Sequence, residues 1–409
     1  MREGRSWHRW VLCALLFFAT TINYVDRQLL GILAPSLQRE LGWSEAQYGF
    51  IVTSFQAAYA LGLLLFGRII DRVGSRVGLL VAVTAWSVAS MAHGMASSAL
   101  QFAGARFGLG LAEAGNFPAS VKMVSETFPP RERAFAIGIF NSGSNIGAII
   151  TPLAVPILVG LLGWRITFYL TGLLGLLWVV CALPLLRSVS VKERVSSGMN
   201  TPWSSLLRER GVWAFGIAKL ITDPIWWFYL YWAPKYFGSR YGLELSGLAM
   251  PLVCIYVMAD VGSILGGWGS GRLVKMGWSP LRARRGMMVV CALSVLVVGF
   301  APYASTVWGA AGLLAFAAAA HQGWSANLFA LSTDLFPRQA VASVVGFGGM
   351  LGALGGMVMA TATGLILEYS GSYTVPFVVC ACSYLVAWCV TWALIGSSRT
   401  LSVTEGESE

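Results

Sequence analysis

Asp26 and Arg27 are neighbours inside an apolar run, WVLCALLFFATTINYVDRQLLGIL, that extends from Trp10 to Leu33. A run of that length can span a bilayer, and ionisable groups at such depth are rare and face a partner, a water-filled cavity or a transported solute. Further apolar runs hold Arg106, Glu113 and Lys122, then Lys219 and Asp223, then Asp260. Arg106 and Glu113 are two helical turns apart, so they share a helix face with ~10 Å of rise between them. A carboxylate entering a low-dielectric cavity needs a fixed cation, and the guanidinium fork matches carboxylate geometry bidentately. Arg27 is the residue expected to make that contact, the alternative being that it neutralises a nearby acid. Burial favours a protonated carboxyl and a nearby arginine opposes it, so an anion arriving at the arginine promotes protonation of the acid. Asp26 and Glu113 are therefore candidate proton carriers.

The other polar groups divide between structure and ligand. Lys219 and Asp223, at i and i+4, suit an ion pair on one helix face, and Pro224 can bend that helix. Lys122 can snorkel to a membrane surface, and Asp260 has no partner evident in the sequence. The aromatic run Trp226-Trp227-Phe228-Tyr229 reads mainly as an interfacial belt. Tyr231 is the member of that region best suited to stack on a sugar-like face. His321, Gln322 and Asn327 concentrate polar groups in an otherwise apolar run, and the two carboxamides can both donate and accept as hydroxyl recognition requires. Interhelical hydrogen bonding is their alternative use.

The elements that carry these residues are membrane spans. Of 409 residues, 56% are hydrophobic and 11% charged, less than half the ~25% charged of soluble domains. Twelve apolar blocks follow, roughly 10–33, 46–66, 77–96, 99–123, 135–160, 166–186, 212–236, 247–267, 286–303, 306–331, 343–367 and 374–396, most near the ~20 residues a spanning helix needs. The net charge of +10 invites a nucleic-acid reading, but its distribution excludes one. Twenty basic residues lie in alternate loops on the side of the termini, among them Arg68, Arg72, Arg76, Arg131, Arg133, Arg284 and Arg285; only Arg39, Arg165, Lys235 and Arg240 lie opposite. That bias predicts both termini in the cytoplasm. The seven cysteines all fall in spans without metal-ligand spacing, so neither a disulfide nor a structural zinc is expected. The first apolar run exceeds a signal-peptide core and is expected to remain as a span.

Six spans precede a basic linker and six follow it. The predicted organisation is an N-terminal six-helix bundle over 1–187, a cytoplasmic linker over 188–210, a C-terminal six-helix bundle over 211–398 and a cytoplasmic tail over 399–409. Phe128-Pro129-Pro130-Arg131 recurs as Phe336-Pro337-Arg338, and the Gly67–Arg76 loop has a counterpart from Gly271, at offsets of 208 and 204 residues. The halves are therefore parallel repeats. In that loop, Gly67, Asp71, Arg72, Gly74 and Arg76 form G-x-x-x-D-R-x-G-x-R. Its carboxylate can accept from helix ends and arginines, so the cluster can latch the halves in one state and release them in another, where a topological role alone is the alternative. Gly138, Gly143, Gly147 and the glycines from Gly346 to Gly356 suit close helix packing.

The 6+6 repeat with this loop motif resembles the major facilitator superfamily. Asn23-Tyr24-Val25-Asp26-Arg27, Glu113-Ala114-Gly115-Asn116-Phe117-Pro118, Asn141-Ser142-Gly143-Ser144-Asn145, Trp226-Trp227-Phe228-Tyr229 and Trp324-Ser325-Ala326-Asn327 together resemble its anion:cation symporters, and among them the bacterial hexuronate and sugar-acid permeases. The resemblance covers both halves. It implies an all-α fold of twelve transmembrane helices in two bundles around a central cavity, and proton-coupled uptake of glucuronate, galacturonate or a related sugar acid. It also implies that Arg27 binds the carboxylate with Tyr24 and Tyr59 nearby, that Asp26 and Glu113 carry protons, and that Arg106 tunes Glu113. Asn145, Gln322 and Asn327 would contact hydroxyls. Ser144 stands where some sugar-acid relatives carry a longer polar side chain, so the particular acid stays open, as does a titrating role for His321.

The expected partners are an anionic small molecule, protons and the bilayer, with no nucleic acid and no cofactor, in a monomer of the cell inner membrane. Within transport the rivals are glucarate, galactonate, tartrate or an aromatic acid. A non-transporting solute sensor is a rival of another class. No nucleophile–base–orienter set, phosphate loop or metal cluster argues for an enzyme.

Overall fold

The computed structural model describes residues 3–188, 202–243 and 245–396. Most of the expected linker, 189–201, and the tail 399–409 lie outside the described residues. The described chain is helical throughout and makes twelve spans. Spans 1, 2 and 3 are Glu3–Leu41, Glu45–Val73 and Ser75–Met95. Span 4 is two helices, Ala99–Glu113 and Asn116–Thr127. Spans 5 and 6 form one continuous run, Pro130–Ser188, that turns at Gly163. Spans 7, 8, 10, 11 and 12 are Arg210–Tyr241, Leu245–Lys275, Val307–Leu335, Val341–Ser370 and Thr374–Ile395. Span 9 is Pro280–Val295 continued by a 3-10 segment, Leu296–Tyr303. An even number of spans puts the described start and finish of the chain at the same end, called here the termini end.

Local chemistry sets these boundaries. Ser44 and Gln47 exchange side-chain and backbone bonds of 3.2 and 3.0 Å in a capping box that starts span 2. The hydroxyls of Ser98 and Thr306 accept from the amides of Gln101 and Gly309 at the starts of spans 4 and 10. Gly163 has φ 79° and ψ 162°, a conformation open essentially to glycine alone. The apolar blocks leave a short loop over 161–165; the structure instead turns at one glycine and keeps the flanking residues helical. Several spans also outrun their apolar blocks, because the backbone hydrogen-bond ladder continues beyond the hydrocarbon layer that hydropathy marks.

The outer surface presents apolar side chains such as Phe18, Leu153, Val180, Phe300 and Val358, all exposed. Lipid gives no hydrophobic drive for helices to associate, so small residues carry the close packing. Between halves, Gly138 lies against the Ser263 carbonyl, Gly267 against that of Ala134, Gly67 against Ala342 and Gly346 against Leu63; a Cβ at any of these would collide with the opposing backbone. Spans 5 and 8, and spans 2 and 11, thus meet backbone to backbone over their termini-end portions. Among the described residues, seven helices are apolar and long enough to cross a membrane by length and composition, and they account for spans 2, 3, 5, 6, 8, 9, 11 and 12. The spans outside that set, 1, 4, 7 and 10, stand at equivalent positions in the two repeats and carry most of the buried ionisable groups.

Candidate functional site

A cavity of about 720 Å3 lies between the halves. Its walls include Tyr24, Arg27 and Tyr59 from one half and Lys219, Asp223, Trp226 and Gln322 from the other. Nε of Arg27 donates to Oε2 of Glu113 over 2.8 Å, with the arginine side chain 12% exposed and the glutamate fully buried. The guanidinium lies 4.8 Å from the Tyr24 ring centroid and 4.4 Å from that of Tyr59, so two aromatic faces hold its plane. A terminal nitrogen of Arg27 also donates to Asn23 Oδ1 at 3.3 Å. The cation presented to the cavity is therefore already held by an acid one layer behind it.

Arg106 acts on the expected Glu113 through its charge and spends its hydrogen bond elsewhere. Its Nη1 donates to the Arg27 carbonyl at 3.0 Å, which fixes the backbone under the cavity arginine. Glu113 receives its hydrogen bond from Arg27 instead, and among the described residues its Oε1 has no partner. Asp26, one residue along span 1, turns into its own half and accepts from Ser90 of span 3 at 2.7 Å; that hydroxyl lies 3.3 Å from the hydroxyl of Thr171 on span 6. Asp26 is buried and is absent from the cavity wall. The helix break at Ala114 and Gly115 is tied to span 1 by Asn116, which donates to Thr20 at 3.1 Å.

The opposite wall departs further from the expectations. Gln322 accepts from Asn141 at 2.6 Å across the two halves, and Asn141 also reaches Ser263 at 3.3 Å. Asn141 itself lines the cavity, a contact that the sequence analysis did not assign. Asn145 does not line it: its amide donates to Asp260 at 2.6 Å, supplying the partner that Asp260 lacks in sequence. Asn327 also stands outside the wall, donating to the carbonyls of Gly266 and Gly323 at 2.9 and 2.8 Å. His321 is hydrogen-bonded to the Tyr384 hydroxyl and stacks on Trp226 at 5.3 Å between centroids. The belt reading of the span 7 aromatics is corrected accordingly: Trp226 and Trp227 face the cavity, while Phe228 and Tyr229 are buried in packing. Helical periodicity distinguishes lipid-facing from buried positions, but not a buried wall from a cavity wall. The side chain of Tyr231 lies outside the described residues. Ser144 and Ser325 add hydroxyls to the wall.

At the termini end, Asp71 joins the halves. Its Oδ1 accepts from Lys122 at 2.8 Å and from the Ala342 amide at 3.2 Å, and its Oδ2 from the Ser343 amide at 2.7 Å. Asp71 thus binds the first amides of span 11, the positive end of that helix dipole. The helix-end amides are as expected, a lysine stands where arginines are expected, and Lys122 is correspondingly buried against Asp71 rather than snorkelling. Gly67 and Gly74 serve as the close approach and the turn at φ 91°, while the Arg72 side chain is exposed. A second cluster at the same end has Asp334 accepting from Arg133 at 3.1 Å and Arg284 at 3.2 Å, with Arg284 also donating to the Pro130 carbonyl at 2.6 Å. At the other end, Thr53 and Gln56 of span 2 stand across a separate cavity of about 640 Å3 from Trp227, Phe228 and Trp232 of span 7. The conformation is closed at the termini end.

Two six-span halves, a buried ion pair facing the cavity between them and charge clusters joining the halves at one end fit a multi-pass membrane transporter. The Major Facilitator Superfamily model matches residues 16–360, and the chain belongs to that superfamily. It is 28% identical to the hexuronate transporter of Escherichia coli K12, over 97% of this chain and 96% of that one. It is 30% identical to the hexuronate transporter of Bacillus subtilis 168, over 89% of each. The fold is also that of the E. coli fucose:proton symporter, with a TM-score of 0.71 at 15% identity over 95% of this chain and 99% of that one.

Proposed function

We propose that the chain is a proton-coupled symporter that brings a sugar acid into the cell by alternating access, with a hexuronate such as glucuronate or galacturonate as cargo. The observation that carries this reading is the Arg27–Glu113 pair at the cavity wall. While Glu113 is ionised it occupies the arginine. Its protonation frees the guanidinium for a cargo carboxylate, and proton loss on the other side reclaims the arginine and expels the cargo. Arg106 sets the position of Arg27 through its carbonyl, and Asn141, Gln322, Ser144 and Ser325 offer hydroxyl partners. Asp26 is the second proton carrier in this reading, acting from within the first half. The Asp71 and Asp334 clusters hold the termini end closed and part when the cavity opens there.

In this reading the basic loops lie in the cytoplasm, and the conformation closed at that end faces outward across the cell inner membrane. The working unit is a monomer. The test is uptake of labelled glucuronate and galacturonate into proteoliposomes with and without an inward proton gradient, for wild type and Glu113→Gln. Gradient-driven accumulation is expected in wild type and exchange alone in the variant. Folded wild type that takes up neither acid removes the hexuronate reading.

A further inference from the structure

The cavity has a second charged pole that this mechanism leaves unused. Lys219 and Asp223 lie one turn apart on span 7 and line the same cavity as Arg27, from the other half. Lys219 Nζ is 2.6 Å from Asp223 Oδ2, with side chains 8% and 20% exposed. The ammonium also sits 4.4 Å from the centroid of the Phe329 ring, another wall residue. An i,i+4 pair on a solvated helix contributes little, but this one is desolvated and built into its surroundings. Gly348 of span 11 packs on Phe215 and the Lys219 stem, and a side chain at Gly352 would occupy the space of the Asp223 carboxylate. The titratable groups facing the pair are His321 from span 10, Tyr24 from span 1 and Tyr384 from span 12. Tyr24 packs on Arg27 and shares the cavity wall with Asp223.

Both poles have the same parts: a cation, a carboxylate neutralising it, and an opening to the cavity. At each, a cargo carboxylate takes the cation only if the resident acid gives it up, which protonation accomplishes. A monoacid uses one pole and leaves the other closed on itself. We infer that Lys219 and Asp223 form a second site that exchanges a proton for a carboxylate, so that a dicarboxylic sugar acid bridges the poles. Each arriving carboxylate accepts the hydrogen bonds of one cation, and each displaced acid takes one proton. A dianion entering with two protons leaves the charge of the cavity unchanged. The inference rests on the sugar-acid reading and adds the class of cargo.

The test uses the full chain in proteoliposomes, with glucuronate as the monoacid probe and glucarate as the diacid. Glucarate is expected to compete with glucuronate in counterflow and to carry one more proton per molecule than glucuronate does. The double variant Lys219→Gln, Asp223→Asn removes the pole without leaving an isolated charge. It is expected to lower glucarate affinity about tenfold or more relative to glucuronate, the loss of one charge-assisted contact. Gly352→Ala, which presses on the Asp223 carboxylate without changing a charge, is expected to shift the same ratio. Glucarate that fails to compete, or a ratio that stays fixed in both variants, overturns the second site while glucuronate transport stands. Wild type that moves neither acid overturns the sugar-acid reading and the second site with it.

Discussion

Replacing Glu113 by glutamine tests the central step directly. Glutamine keeps the shape of the side chain but removes the charge that holds Arg27 at 2.8 Å. A hydrogen bond between charged groups contributes ~1.5–3 kcal/mol net, and each ~1.4 kcal/mol is tenfold in affinity. If the cargo carboxylate and Glu113 compete for one guanidinium, wild type binds weakly wherever Glu113 is ionised and strongly once it is protonated. The variant resembles the protonated form at every pH. We therefore expect Glu113→Gln to bind glucuronate about 10- to 100-fold more tightly than wild type at alkaline pH, to converge with it at acid pH, and to show a flattened pH profile. Calorimetric titration of detergent-solubilised protein between pH 5 and 9 reads all three features. Arg27→Ala serves as the companion, with binding lost throughout. Weaker binding in Glu113→Gln at alkaline pH, with the wild-type pH dependence retained and the protein folded, refutes competition at Arg27 and makes Glu113 a structural anchor.

Three further expectations follow from the packing. Asp71→Asn weakens the bonds to Lys122 and to the first amides of span 11, each worth ~1.5–3 kcal/mol; spin-label distances across the termini end should broaden toward an open population, and unchanged distances would remove Asp71 from the latch. Gly138→Val places a branched side chain where the Ser263 carbonyl now sits, so the termini end cannot close. Alkylation of a cysteine introduced beside Asp71 should rise while uptake falls at least tenfold. Gly163→Ala forces a side chain into φ 79°, at a cost of ~1–3 kcal/mol, visible as a lower unfolding temperature in detergent with little change in affinity.

The sequence shows which residues are expensive, and the structure shows what each is spent on. Asp26 and Arg27 stand out in the sequence because a charge costs more in a bilayer than any apolar residue could, and that cost needs no neighbour to be visible. Successive residues on a helix point ~100° apart, however, so the two cannot share a face, and the sequence leaves open which of them looks into the cavity. The decision belongs to spans 3 and 6, whose Ser90 and Thr171 hydroxyls surround Asp26, and to span 4, whose Glu113 draws Arg27 the other way. The same limit applies at Lys122: its run of apolar neighbours suggests a snorkelling lysine, and only the fold brings Asp71 to it. Asn145 and Asp260, 115 positions apart, each look like a lone polar group, and their bond exists only because glycines let spans 5 and 8 touch along their backbones. The repeat made the halves legible, since its offset survives in the loop motifs. It does not extend to the cavity chemistry, where one wall sets an arginine against a glutamate from another span and the other sets a lysine against an aspartate one turn along its own helix. Lys219 and Asp223 are an ordinary i,i+4 pair in the sequence, and it is their shared wall with Arg27 that makes them part of the site.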